Sequence, residues 1–208
     1  MNCRTLYFLF ISLLLVLTAC TSAYDHLRKT EVVPCPVSTF KPVIPYALYA
    51  TSVDVLNKHL SGLLAVKSVP DSSIYTVFQS EMGLTYFEFE WERNGTFHAR
   101  NVINKMNRKS VIKALRKDFE LMLMNNLDTG NVSTFSDQQD LYTRYRQGSG
   151  FVYRVTDSAC KSLKRMESAS KRKTIVEMNM FNSTGIPDSV FISHRNFKFN
   201  ISLRKIKQ

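Results

Sequence analysis

The stretch LTYFEFEWERNGTF, residues 84–97, decides the fold class. Thr85, Phe87, Phe89 and Trp91 fall on one side of an extended chain and Tyr86, Glu88, Glu90 and Glu92 on the other. That period of two is the pattern of a strand with one buried and one wet face. Arg93-Asn94-Gly95 then supplies turn chemistry for a hairpin, and Phe97, Ala99 and Asn101 return along a partner strand.

Working outward, Glu81-Met82-Gly83 and Pro70-Asp71-Ser72 are turn signals that bracket a strand over Ile74–Gln79. Two earlier strands run through Tyr49, Thr51, Val53 and Val55, and through Leu60, Gly62, Leu64 and Val66. After the hairpin the period changes. Val111, Leu115, Phe119 and Met122 recur at helical spacing with no Gly or Pro nearby, which predicts a helix over Lys109–Met124 with Asn107 as its cap. Residues 125–137 are polar and read as a loop. Strands follow at Leu141–Arg146, Phe151–Thr156, Leu163–Ser168, Thr174–Phe181, Asp188–His194 and Phe197–Ile206. About ten strands and one main helix make a mainly β, α+β fold, a curved antiparallel sheet that must cover its inner face.

The N-terminus is of another kind. Arg4 precedes an apolar run over Leu6–Leu17, too short for a confident membrane span, and small residues lead to Cys20. Leu17-Thr18-Ala19-Cys20 resembles the bacterial lipobox. That resemblance implies cleavage after Ala19, lipidation of Cys20 and anchoring to a membrane through palmitate-like acyl chains. Thr21 after the cysteine, where inner-membrane retention uses aspartate, implies the outer membrane, with the domain facing the periplasm of a bacterial envelope. The expected organisation is a signal peptide over 1–19, a tether with four prolines over 20–45, having at most a helical turn near Asp25–Val32, and one domain over 46–208.

Lys and Arg number 28 against 17 Asp and Glu, a formal charge of +11. In an exported chain that balance favours anionic lipid head groups over nucleic acid. The basic clusters include Lys105 to Lys109 and Lys161 to Lys173. Cys35 and Cys160 remain once Cys3 and Cys20 are accounted for, either to pair or to stay as two thiols. The four histidines stand singly, there is no paired-cysteine spacing, and no nucleophile motif or glycine-rich phosphate loop occurs. The expectation is a protein with no catalytic residues, metal or cofactor.

A lipobox, a meander of short strands, a helix after the first hairpins and a second set of strands together resemble the LolA/LolB-like family of periplasmic lipoprotein carriers and receptors. The likeness rests on the strand, glycine turn and strand of residues 78–90, on the helix from Lys109, and on the last two strands. It implies an unclosed half-barrel with a helical lid and an apolar cavity for acyl chains of a lipid or lipoprotein. On that reading Phe87, Phe89, Trp91, Phe97, Phe119, Met122, Phe197 and Phe199 line the cavity; the alternative is that they pack a solid core. Met82 and Leu84 are the nearest match to a membrane-contacting loop tip. A scaffold lipoprotein that holds a protein partner and no lipid is the rival function.

Overall fold

The computed structural model describes residues 22–55, 57–125, 127, 132–182 and 185–207; the signal, Ala19 and Cys20 lie outside them. Thirteen antiparallel strands form one sheet that does not close. They are β1 (Arg28–Thr30), β2 (Tyr46–Val55), β3 (Lys58–Ser68), β4 (Ile74–Gln79), β5 (Thr85–Trp91), β6 (Phe97–Val102), β7 (Val132–Ser136), β8 (Asp140–Gln147), β9 (Gly150–Asp157), β10 (Leu163–Ala169), β11 (Thr174–Phe181), β12 (Ser189–His194) and β13 (Phe199–Lys205). The helix α1 spans Lys109–Met122. Spatially, β7 to β13 form one meander and β2 to β6 a second. They join where β13 pairs with β2, and β1 adds to the free side of β7.

The pattern of period two sets the faces as expected. Phe87, Phe89 and Trp91 of β5 are buried, as are Tyr49, Thr51 and Val53 of β2. Gly62 permits the close approach of β3 to the backbone at the end of β4, since a Cβ there would sit 1.9 Å from the carbonyl oxygen of Gln79. At the Asn94-Gly95 hairpin, Gly95 takes the positive φ of 86°. Asn94 contributes its side chain, accepting the Thr96 backbone N–H at 2.7 Å.

The structure corrects the reading of residues 20–45 as a tether. From Ser22 onward the chain belongs to the domain and wraps around its β7 edge. Tyr24 and Leu27 pack on the outer cluster with Tyr142, Tyr153 and Val155. The Tyr24 ring stacks on Tyr153 at 4.2 Å, and its hydroxyl donates to Glu167 Oε2 at 2.6 Å. Arg28–Thr30, expected near a helical turn, instead pair with β7. Cys35, Phe40 and Ile44 then join the main core, to which Val152 of β9 contributes. Since Val152 and Tyr153 point to opposite faces of β9, the segment covers one face before the edge and the other after it. Arg154, fully buried, donates through Nη1 to Pro36 O at 3.2 Å and through Nη2 to Cys35 O, with its guanidinium beside Phe40 and Tyr145. A disulfide joins Cys35 to Cys160 with their Cα atoms 5.6 Å apart.

Two smaller expectations also change. Residues 132–136, read as loop, form β7, a strand too short and polar to announce itself. Arg108 in extended conformation precedes α1 and no side chain caps it; Asn107 is held by backbone bonds to Ile103 and Asn104.

A cationic apolar cavity under the helix

Along α1, burial rises toward the C-terminus. Val111, Ile112 and Ala114 are half-buried, whereas Leu115 and Asp118–Met122 are buried. The helix therefore lies on the sheet like a wedge. Its thick end is filled by aromatic side chains. Phe87 and Phe89 stack at 4.4 Å; Phe119 meets Phe87 at 5.8 Å, Trp91 at 6.2 Å and Phe89 at 6.5 Å. Phe97 closes the group against Phe89 and Trp91, both at 5.2 Å. Such offset and edge-on contacts leave no room for a ligand.

Polar pins fix the helix there. His194 Nε2 lies 2.9 Å from Asp118 Oδ2, and both side chains are buried. Burial pushes the Asp118 carboxyl above the usual range, opposed by that hydrogen bond. Trp91 Nε1 donates to Glu120 Oε1 at 3.3 Å, and Arg116 Nε donates to the same oxygen at 2.7 Å while its guanidinium covers Phe97.

Under the thin end, a cavity of about 580 Å³ remains, within the range of small-molecule sites. Its floor is Val53 and Val55 of β2, Leu60 of β3, Phe78 of β4, and Tyr86 and Phe87 of β5. Val111, Ala114 and Leu115 of α1 form its roof, Ile103 and Met106 one wall, and Phe197 and Phe199 the other. The mouth carries Asn57, Lys58, Lys105, Arg108 and Ser110. Lys58, Lys105 and Arg108 are exposed, and the first turn of α1 holds no acidic residue. Cations together with the positive end of the helix dipole favour an anion at this mouth.

Of the residues expected to line a cavity, Phe87, Phe197 and Phe199 do so. Phe89, Trp91, Phe97, Phe119 and Met122 are in the solid core instead, because the C-terminal half of α1 fills that part of the concave face. Met82 and Leu84 occupy the β4–β5 turn, 95% and 54% exposed, outside the cavity. Sequence reasoning missed Lys58, Ile103, Met106, Val111 and Ala114 as a set. The signal that could have found them was the basic cluster at Lys105–Lys109 running directly into the helical stripe.

The outer face carries a second polar group. Glu167 accepts from Tyr24 and Arg165, and Arg165 Nη2 donates to Tyr142 Oη at 3.0 Å. Glu167 and Tyr142 meet the N-terminal segment directly, and Arg165 ties the two together. Among the described residues no group of three or more His, Cys, Asp or Glu is placed to hold a metal, and no helix is long and apolar enough to cross a membrane.

No protein-family model and no curated protein matches this chain. Among solved structures, a DUF1329 family protein from Desulfovibrio piger ATCC 29098 resembles it with a TM-score of 0.41 and 8% identity, over 78% of this chain and 83% of that one.

Proposed function

We propose that this chain is a non-enzymatic envelope lipoprotein, held at the outer membrane by acyl groups on Cys20. Its half-barrel shelters an acyl chain of a lipid or of another lipoprotein. The observation that carries this reading is the cavity under α1, apolar within and cationic at its mouth. An acyl chain gains about 25 cal/mol for each Å² of apolar surface removed from water, and the anionic head group stays at the rim beside Lys58, Lys105 and Arg108. Binding and release need no bond to be made or broken. The free edge at β1 is only three residues long, which offers a protein partner little backbone to pair with there.

The test is displacement of a fluorescent fatty acid from the purified chain, with native mass spectrometry for co-purified lipid. Ala114→Trp, which fills the roof of the cavity, should weaken binding at least about tenfold, the effect of losing roughly 1.4 kcal/mol. Lys105→Glu with Arg108→Glu should weaken fatty acid binding and leave a neutral acyl glycerol less affected. A chain that carries no lipid and binds neither ligand would remove the proposal.

A further inference from the structure

The antiparallel order of the strands sends alternate turns to opposite ends of the sheet. The β2–β3, β4–β5, β8–β9, β10–β11 and β12–β13 turns, and the connection into α1, share one rim. The β3–β4, β5–β6, β7–β8, β9–β10 and β11–β12 turns share the other. The first rim is predominantly cationic, whereas the second mixes both signs. The first rim carries Lys58, Lys171, Arg172, Lys173, Arg195 and Lys198, all exposed, against Glu81 in its turns and Asp54, which lies 2.7 Å from His59 beside the β2–β3 turn. Arg195 also pairs with Glu177 at 2.5 Å. Every turn of the far end carries or adjoins an acid, namely Asp71, Glu92, Asp137, Asp157 and Asp188, interspersed with Lys67, Arg93, Lys161, Lys164, Lys205 and Lys207, of which Lys205 pairs with Asp188 at 2.6 Å.

The cationic rim is also where residues 22–24 are fixed. Ala23 N–H donates to Arg172 O at 2.9 Å, in the β10–β11 turn, and Tyr24 is latched one residue later. Two residue steps separate Cys20 from Ser22, a reach of at most about 7 Å. A group attached to Cys20 therefore cannot stand far from this rim. The cavity mouth, with Lys58 and Phe197, opens on the same rim.

We infer that this rim docks on the anionic surface of the bilayer, so that the domain lies against the membrane in one orientation with its cavity facing the lipid. The inference rests on the lipoprotein reading above. In this arrangement the N-terminal segment acts as a short clamp, and Lys171, Arg172, Lys173 and Lys198 meet lipid phosphates while the acid-bearing turns face away.

The experiment is aqueous acetylation of lysines on the full chain, reconstituted in phosphatidylcholine vesicles with and without phosphatidylglycerol and read by mass spectrometry. Lys58, Lys171, Lys173 and Lys198 should react about fivefold or more slowly in the anionic vesicles, since each basic residue near such a surface favours apposition by about that factor. Lys161 and Lys207, at the far end, should be unchanged. High salt, or Lys171→Glu with Lys173→Glu, should restore the rim rates. Equal rates at the two ends, or protection of the far end, would overturn the orientation. The same digest reports acylation of Cys20, so an unacylated chain marks failure of the anchor, and an acylated chain with a reactive rim marks failure of the docking; either result refutes it. Ala114→Trp should leave rim protection intact, which separates docking from occupancy of the cavity.

Discussion

His194 Nε2, at the end of β12, lies 2.9 and 3.1 Å from the two carboxylate oxygens of Asp118 on α1, so one buried contact holds the helix to the sheet at the boundary between solid core and cavity. The His194 ring is flanked by Phe199 at 4.6 Å and Phe197 at 4.9 Å, which connects the pin to the cavity wall.

His194→Leu should leave the Asp118 carboxyl buried without its partner and cost about 3–5 kcal/mol in urea unfolding. Asp118→Leu with His194→Leu should recover most of that loss, because two apolar groups replace a pair that must be desolvated. A single-variant loss under about 1 kcal/mol would show that the contact does not hold the helix.

The core and cavity halves of the concave face should respond oppositely. Phe89→Ala removes a ring packed on all sides and should destabilise by about 3–5 kcal/mol while also disturbing the helix. Val111→Phe enlarges a half-buried roof residue and should change stability little while weakening acyl-chain binding severalfold. Calorimetry and ligand titration of both variants check the contrast; equal loss of stability in the two would mean that the space under α1 is not open.

Reduction, or Cys160→Ser, should loosen the N-terminal clamp. The bridge spans 125 residues of sequence, and closure of so long a loop corresponds to about 5 kcal/mol in the chain-entropy model. Hydrogen exchange should accelerate first in β1 and residues 31–44, which are also held by the β1–β7 pairing, by Arg154, and by the packing of Phe40 and Ile44. An unchanged melting temperature after reduction would contradict the assignment.

Stability should fall in acid. Asp157, bonded by the Ser162 hydroxyl and the Lys161 backbone N–H, and Asp188, bonded by Lys205 and Asn182, are both held below the ordinary carboxylate range. Their stabilisation is complete above the unfolded-chain value of about 3.9 and is lost as pH drops through their lower folded values. Asp118 acts in the opposite sense, since its raised value favours the protonated form in the folded chain. Asp157→Asn and Asp188→Asn should each flatten the acid limb of a stability-against-pH curve, and Asp118→Asn should not.

Much of the sheet was legible because strand faces are written in neighbouring residues. Phe87, Phe89 and Trp91 required only their alternation with polar residues to be placed inside. Glu90 shows the limit of that reasoning. It reads as part of a solvated row, yet it is buried, accepting the Tyr75 hydroxyl at 2.6 Å and Arg100 Nε at 2.5 Å from the two adjacent strands. Those partners lie 15 and 10 residues away, and no local period reveals them. Phe197 is the reverse case: an aromatic in the strand pattern that stands 45% exposed in a turn at the cavity mouth.

By itself the sequence determined the meander, its inward faces, the helix from Lys109 and the basic cluster that leads into it, since each is a matter of local periodicity and composition. Tertiary structure alone decided how far α1 fills the concave face, and so which aromatics are core and which bound a cavity. It also decided that residues 22–45 wrap the sheet edge, and that the cationic turns, the cavity mouth and Ala23 meet on one rim. The physical reason is that burial fixes which face of a segment is covered, whereas what covers it depends on partners brought from elsewhere in the chain.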